Sequence, residues 1–245
     1  MKRIFIANWK MNPANIAAAR KLFSGITAHT AGAKNARILV APPFLFLSAL
    51  PKSRRIVLGV QNIFYEKAGA YTGEISADMA FAAGARFAII GHSERRALGE
   101  TDAAINLKIK AALASGLQAV LCVGERDRTD ENFQHTVRAQ LMADLETVQK
   151  KSAGRLVVAY EPVWAIGTGK TVEPRDLFEM ATYIRRIMLE LFGKALALRI
   201  PVLYGGSVNA ANAPDFLRVA GVGGLLVGGA SLDAQEFGAI VKSEL

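Results

Sequence analysis

Residues 102–123, DAAINLKIKAALASGLQAVLCV, contain one complete unit of the pattern that decides the fold. In 102–114, apolar residues recur at spacings of three and four, as they do in an amphipathic helix. Gly116 follows at a position where a helix can end. The run 118–123 is short and continuously apolar, which is typical of a strand buried on both faces of a parallel sheet. The stretch therefore predicts a helix, a turn and a buried strand, in that order.

The same pattern recurs along the whole chain. Short apolar runs predict eight strands, at 3–8, 37–41, 56–60, 87–91, 118–123, 156–161, 200–205 and 224–228. Amphipathic segments between them predict helices at 15–27, 102–114, 130–148, 174–191 and 232–241. Eight units in 245 residues give a mean repeat of about 30 residues, the size of a βαβ unit. The predicted fold class is α/β, a single-domain (β/α)8 barrel over residues 1–245. A doubly wound open sheet is the alternative, but no G-x-G-x-x-G follows the first strand.

Composition excludes several classes of protein. Hydrophobic residues make up 51 % of the chain and charged residues 21 %, which excludes intrinsic disorder. The only cysteine, Cys122, cannot close an intramolecular disulfide. The apolar run near the N-terminus is too short for a signal peptide, and none reaches the roughly 18 residues of a membrane span. We therefore expect a cytoplasmic protein with no membrane partner.

The net charge of +9 is compatible with a nucleic acid, an anionic membrane or a small anionic substrate as partner. Basic residues occur singly or in pairs, such as Arg54–Arg55 and Lys150–Lys151, and no block of five like charges is present. A nucleic-acid patch is therefore not indicated. Ordinary solvated surface and a small anionic substrate both remain open from composition alone.

Polar residues follow the predicted strands at their carboxyl ends, where a barrel carries its active site. They are Asn8, Lys10, Gln61, Asn62, His92, Glu94, Cys122, Glu125, Glu161, Ser207, Gly228 and Gly229. Singly, each has a structural explanation, since a lysine past a strand is usually surface and a lone carboxylate is often a hydrogen-bond acceptor. The convergence of an ammonium, an imidazole and a carboxylate on one rim favours a catalytic site instead.

Seven segments in family order carry a resemblance that covers essentially the whole chain. They are 7–12 (ANWKMN), 69–74 (GAYTGE), 91–96 (GHSERR), 122–125 (CVGE), 159–169 (AYEPVWAIGTG), 204–208 (YGGSV) and 226–232 (LVGGASL). In these segments the chain resembles the triosephosphate isomerase family. The resemblance implies a TIM barrel that interconverts dihydroxyacetone phosphate and glyceraldehyde 3-phosphate without a cofactor or a metal ion.

The resemblance also implies catalytic roles. Glu161 matches the general base, which we expect burial to make more basic. His92 matches an electrophile that acts as neutral imidazole, because the helix start that follows it disfavours imidazolium. Lys10 matches the cation that offsets enediolate charge, and Asn8 is expected to hold Lys10 and the substrate oxygens.

Binding of the substrate phosphate is implied to use backbone N–H groups. Gly167, Ser207, Gly228 and Gly229 match that set, with Asn8 and Lys10 completing the substrate-binding residues. Glycine allows close approach of a ligand to the backbone. A tight turn is the structural alternative for Gly228–Gly229.

Two loops match mobile or intersubunit segments of the family. Residues 162–170 resemble a lid that closes over the substrate and excludes water. Residues 61–76 resemble an arm that enters a neighbouring subunit, which implies a homodimer whose partner supports Asn8 and Lys10. The expected partners are thus a small phosphorylated sugar and a second copy of the chain.

One segment departs from the family pattern, and two alternative functions remain. Residues 126–131 (RDRTDE) replace the usual leucine and spaced Glu-Arg pair after strand five.

The first alternative is an isomerase of a four-carbon sugar phosphate on the same fold. The second is a non-catalytic basic binding protein, which predicts a damaged Lys-His-Glu set, although Lys10, His92 and Glu161 are all present.

Overall fold

Eight parallel strands form one sheet in the part of the chain that the computed structural model describes, residues 2–128, 133–166 and 171–243. The strands are β1 (Arg3–Asn8), β2 (Ala36–Ala41), β3 (Ile56–Leu58), β4 (Phe87–Ile90), β5 (Gln118–Val123), β6 (Leu156–Tyr160), β7 (Val202–Tyr204) and β8 (Val222–Val227). Their order is β3-β2-β1-β8-β7-β6-β5-β4. A parallel bridge between Val60 and Ala88 joins the two outermost strands. The sheet therefore closes, and the predicted (β/α)8 barrel is confirmed.

Helices connect the strands. They are α1 (Ile16–His29), α2 (Phe44–Leu47), α3 (Ala77–Ala82), α4 (Ser93–Ala97), α5 (Asp102–Ala114), α6 (Phe133–Asp144), α7 (Lys150–Ala153), α8 (Pro174–Phe192), α9 (Lys194–Ala197), α10 (Ala213–Arg218) and α11 (Ala234–Lys242). Short 3-10 helices lie at Val163–Ala165 and Gly229–Leu232. Over the described ranges, none of the helices has both the length and the apolar content that crossing a bilayer requires.

Local sequence signals explain where several helices begin and end. The Asn15 side chain caps α1 by accepting a hydrogen bond of 2.9 Å from the Ala18 N–H, as a favoured N-cap residue does. Gly116 follows α5 with φ of 86°, a left-handed conformation that costs glycine little. Pro174 is the first residue of α8, where its missing N–H is harmless. These ends follow from side-chain chemistry alone.

The predicted boundaries need correction at some elements. The apolar run 56–60 predicts a longer third strand, but β3 ends at Leu58 and Val60 makes only the isolated bridge that closes the barrel. The predicted helix 130–148 ends at Asp144, before Thr147 adopts a positive φ of 57°; its first residues lie outside the described ranges. The apolar pattern extends beyond the end of β3 because residues at the rim of the barrel are buried even where they lie outside a regular strand.

The core has two layers, which follow from the alternation of side chains along each strand. Twelve buried side chains fill the barrel interior: Ile4, Ile6, Leu39, Ala41, Phe87, Ile89, Val120, Cys122, Val157, Ala159, Leu203 and Leu226. The intervening residues, such as Phe5 and Val158, face the helices and join a larger outer cluster. The interior is packed, so a ligand can enter only at the ends of the strands.

Candidate active site

The strand pleat delivers two polar side chains to the carboxyl-terminal rim. Val157 and Ala159 of β6 face the barrel interior, so Glu161, two residues further on, continues the same inward series. Ile4 and Ile6 of β1 lead to Asn8 in the same way. Glu161 is 3 % exposed and Asn8 is 5 % exposed. The apolar interior thus ends in a buried carboxylate and a buried amide.

His92 lies between β4 and α4 and faces Glu161. Its Nε2 atom is 3.1 Å from Glu161 Oε1, and its Nδ1 atom accepts a hydrogen bond of 3.2 Å from the Glu94 N–H at the start of α4. Because Nδ1 accepts, the ring proton is on Nε2. The neutral ring therefore points a single N–H donor into the barrel mouth, which supports the expected neutral imidazole.

The pKa of His92 is nevertheless raised from its ordinary value. Burial lowers this pKa, but the negative charges of Glu161 and Glu94 raise it by more. The expectation that the helix start keeps the ring neutral stays a prediction, because the nearby carboxylates favour the imidazolium form. The nearby carboxylates set the direction of the shift.

The pKa of Glu161 is lowered. Burial raises it, as expected, but the interactions with His92 and the Ser93 N–H outweigh burial. The Ser93 N–H donates to Glu161 Oε2 over 3.1 Å, and the buried Cys122 thiol makes a smaller contribution. The carboxylate in this arrangement is therefore a weaker base than the sequence predicts.

Lys10 is held at the rim in a strained backbone conformation. Its φ is 51°, which costs a non-glycine residue of order 1–3 kcal/mol. The Lys10 N–H donates to Asn8 Oδ1 over 3.1 Å, and Gln61 Nε2 donates to the Lys10 carbonyl over 2.8 Å. The ammonium lies 2.5 Å from Glu94 Oε1. These contacts fix the direction of the Lys10 side chain.

The described members of the predicted phosphate set follow β7 (Ser207) and β8 (Gly228 and Gly229), whereas His92 follows β4. Ser207 Oγ donates to the Ala165 carbonyl over 2.6 Å. Gly228 approaches Lys10 so closely that an added Cβ would lie 3.1 Å from Cε, whereas Gly229 faces open space. Gly167 lies outside the described residues, as does the rest of 167–170.

A cavity of about 230 Å³ brings these groups together. It is lined by Asn8, Lys10, His92, Glu161, Ile166, Gly205, Gly206, Ser207, Val208, Asn209, Leu226, Gly228, Gly229 and Ala230. The volume is below the range of roughly 300–1,000 Å³ that drug-sized ligands occupy. The cavity therefore suits a molecule smaller than most drug-sized ligands.

Two further residues support the site: Glu125, one of the polar residues expected at the strand ends, and Ser231. Glu125 is buried and accepts hydrogen bonds from Tyr160 Oη (2.7 Å) and Trp164 Nε1 (3.0 Å), so it holds the first part of the 162–170 loop. Ser231 Oγ lies 3.4 Å from the Asn8 carbonyl. Contacts between β5, β6 and the following loop are long-range, and no local signal pairs them.

No group of three or more His, Cys, Asp and Glu side chains in the described ranges is placed to hold a metal ion. The charged groups at the rim are instead paired with one another, as in Lys10–Glu94 and His92–Glu161. The arrangement can accept and donate protons and can stabilise an oxyanion.

The fold and this site define a class: a (β/α)8 barrel enzyme with an ammonium, an imidazole and a carboxylate around one small cavity. Comparison with known proteins makes the assignment specific. The family model for triosephosphate isomerase matches residues 3–244. The chain belongs to the triosephosphate isomerase family.

Individual relatives match over nearly their full lengths. The triosephosphate isomerase of Carboxydothermus hydrogenoformans is 41 % identical, with 100 % of each chain covered. That of Dictyoglomus thermophilum is 42 % identical, with 99 % of each covered. The crystal structure of triosephosphate isomerase from Bartonella henselae has a TM-score of 0.88 and is 35 % identical, with 99 % of each chain covered.

Proposed function

We propose that this protein is an aldose-ketose isomerase that interconverts dihydroxyacetone phosphate and D-glyceraldehyde 3-phosphate. The observation that carries this function is the convergence of Lys10, His92 and Glu161 on one cavity of about 230 Å³. The family match over residues 3–244 supports the same activity. The activity belongs to glycolysis and gluconeogenesis.

The reaction moves one proton between adjacent carbons and one proton between the oxygens bound to those carbons. Glu161 removes a proton from the carbon beside the substrate carbonyl, which leaves an enediolate, and then returns a proton to the neighbouring carbon. The His92 Nε2–H donates to the substrate oxygens, where negative charge develops. Lys10 offsets that charge, and Asn8 holds Lys10. No electron leaves or enters the substrate, so the two sugars differ only in the position of hydrogen.

Glu161 must change partners to act as the base. In the arrangement described, the Ser93 N–H and His92 stabilise its charged form. We propose that bound substrate takes over His92, and that Glu161 leaves the Ser93 N–H to reach the substrate carbon. Closure of the 162–170 lid then excludes water, which raises the basicity of the buried carboxylate.

Backbone amides hold the substrate phosphate in this proposal. Ser207, Gly228 and Gly229 line the cavity, and we propose that the Gly167 N–H completes the phosphate-binding set. Backbone N–H groups at the start of a short helix suit an anion. Gly229 supports this role because no atom of the described residues lies within 4 Å of an added Cβ, which leaves space for a ligand.

We also propose that the chain is a homodimer through the 61–76 loop. Exposed apolar side chains on or near the segments that follow β1, β2, β3 and β4 support this assembly: Met11 (94 %), Leu45 (84 %), Tyr71 (43 %) and Leu98 (79 %). These strands are neighbours in the closed barrel, so the exposed side chains share one sector of the rim. Association would cover this apolar surface and support Lys10, which precedes Met11.

We also propose a domain organisation, a cellular location and the partners of the chain. We propose one domain over residues 1–245, since the strands on either side of the undescribed residues share one sheet. A cytoplasmic location is consistent with the single cysteine, Cys122, which is buried and unpaired. Small sugar phosphates and a second copy of the chain are the proposed partners.

A coupled assay on the purified protein tests the proposed activity. We expect turnover of glyceraldehyde 3-phosphate that exceeds turnover of erythrulose phosphate, because the cavity is small. A clear preference for the four-carbon substrate would replace the proposal with the alternative isomerase. Salt-dependent duplex binding without isomerase activity would support the basic binding protein instead.

A further inference from the structure

A second set of charged residues lies at the end of the barrel opposite the active site. Lys2, Arg37 and Arg55 lie at the starts of the neighbouring strands β1, β2 and β3. Each precedes by two positions a residue that faces or packs against the barrel interior, namely Ile4, Leu39 and Val57. The strand pleat therefore turns all three toward the amino-terminal mouth of the barrel.

These residues line a cavity of about 680 Å³, together with Lys34 and Arg54. The other lining residues are Thr30, Gly32, Ala33, Ala36, Ile38 and Val57, so no acidic side chain of the described residues lines the cavity. Five positive charges face one concave space. Their mutual repulsion favours an anion in that space.

The cations of this cavity are unpaired within residues 2–128, 133–166 and 171–243. None of the five side chains makes an ion pair or a side-chain hydrogen bond there, while other basic residues such as Arg96 and Arg128 do. Arg37 is half-buried, and burial lowers its pKa from the ordinary value. A partly desolvated guanidinium without an acceptor is costly, and an anion in the cavity would supply the missing acceptor.

We propose that this cavity binds a compact, multiply charged anion of the triphosphate class. Its volume lies in the range of small-molecule sites, and the arginine guanidinium matches phosphoryl oxygens in geometry. Among the residues that the structure describes, no aromatic side chain lines it, so these residues offer no surface on which a nucleobase could stack. The site therefore recognises the phosphoryl chain alone. It is separate from the proposed isomerase site and does not depend on that function.

The anion could be free inorganic triphosphate or the triphosphate moiety of a nucleotide. Calorimetric titration of the whole protein at low ionic strength, with inorganic triphosphate as the probe, should give one site per chain. A nucleoside triphosphate should bind with the same affinity to within about twofold, because the base is not contacted. Orthophosphate should bind at least about tenfold more weakly, since it forms fewer charge-assisted hydrogen bonds.

Paired variants locate the site. Arg54→Gln/Arg55→Gln changes two exposed side chains and should weaken triphosphate binding at least about tenfold. Lys150→Gln/Lys151→Gln removes the same two charges from an exposed pair on α7, and should leave the affinity within about twofold. Lys10→Met should leave it unchanged, which separates this site from the active-site cavity. Arg37→Met should weaken binding while circular dichroism shows an unchanged fold.

Several results would overturn the proposal. The first is that triphosphate does not bind. The second is that both double variants lose affinity for triphosphate equally. The third is that Lys10→Met loses this affinity while Arg54→Gln/Arg55→Gln does not. Tighter binding of a DNA duplex than of triphosphate would show that the surface binds nucleic acid instead. If Arg37→Met fails to fold, the exposed double variant still decides the outcome.

Discussion

The Glu161 carboxylate is buried at the rim, and two hydrogen-bond donors lie against it. His92 Nε2 and the Ser93 N–H each lie 3.1 Å from one of its oxygens. These two contacts explain why its pKa is lowered although the side chain is buried. These contacts stabilise the charged carboxylate. Glu161 therefore becomes a stronger base only when substrate replaces them.

Replacing Glu161 with Gln keeps the shape of the side chain but removes the proposed proton acceptor. We expect kcat to fall by about 10²–10⁴, the usual contribution of a general base. KM should change little because the phosphate contacts remain. Steady-state kinetics in both directions measures this effect, and a kcat close to that of the unaltered protein would refute the assignment of Glu161 as the base.

The same variant tests the electrostatics of His92. Burial lowers the pKa of His92, and the charges of Glu161 and Glu94 raise it above the ordinary value. Removing the Glu161 charge should therefore lower this pKa, so that the ring becomes neutral at a lower pH. NMR titration of the imidazole measures the shift. Glu190 is an exposed carboxylate paired with Arg138, and Glu190→Gln should leave the pKa of His92 unchanged. A higher pKa of His92 in Glu161→Gln would contradict the proposed interaction between the two groups.

At the scale of elements, β5 and β6 approach each other very closely at the rim. A Cβ added to Gly124 would lie 1.9 Å from the Glu161 carbonyl oxygen, and the Glu161 N–H donates to the Val123 carbonyl over 2.8 Å. This close backbone packing sets the position from which the Glu161 side chain starts. It is a contact between two strands that are far apart in sequence.

Gly124→Ala should therefore damage both stability and catalysis. The methyl group pushes β5 and β6 apart, at a cost of about 1–3 kcal/mol for overpacking, and displaces Glu161 so that kcat/KM falls. Chemical denaturation and kinetics measure the two effects. Gly154→Ala is the matched control because an added Cβ meets nothing within 4 Å and φ is −62°. Equal stability and equal kcat/KM of the two variants would show that the close contact between Gly124 and Glu161 does not restrict the side chain at position 124.

At the scale of the whole molecule, exposed apolar side chains are concentrated after the first four strands. Leu45 and Leu98 are among the most exposed large hydrophobic residues of the described chain. In a monomer they would contact water, which is unfavourable for an apolar patch of this kind. The proposed dimer would cover them and stabilise the strained Lys10 backbone.

Leu45→Glu/Leu98→Glu should convert the protein into a monomer with reduced kcat/KM, because buried like charges oppose association and Lys10 loses its support. Sedimentation velocity and the coupled assay give the two readouts. Leu198→Glu is a suitable control, since Leu198 is 61 % exposed and precedes β7 at the other end of the barrel. If the double variant sediments like the unaltered protein, the proposed interface is misplaced.

The positive residues behind the net charge of +9 contribute to two separate proposed sites. Lys10 acts at the carboxyl-terminal mouth, where it is paired with Glu94. The five unpaired cations at the amino-terminal mouth form the proposed triphosphate site. Composition could not separate them from solvated surface, because the three strands that bring Lys2, Arg37 and Arg55 together are distant in sequence.

The sequence by itself determined the eight apolar runs, their alternation with helices and the identity of the polar residues at the strand ends. These are local properties, since a buried strand and an amphipathic helix have different periods. The inward series 157–159–161 also follows from the pleat alone. Tertiary structure decided the direction of the pKa shifts of Glu161 and His92 and the placement of cations at the opposite mouth. Electrostatic energies depend on the distance between groups and on their burial, and closure of the barrel sets both.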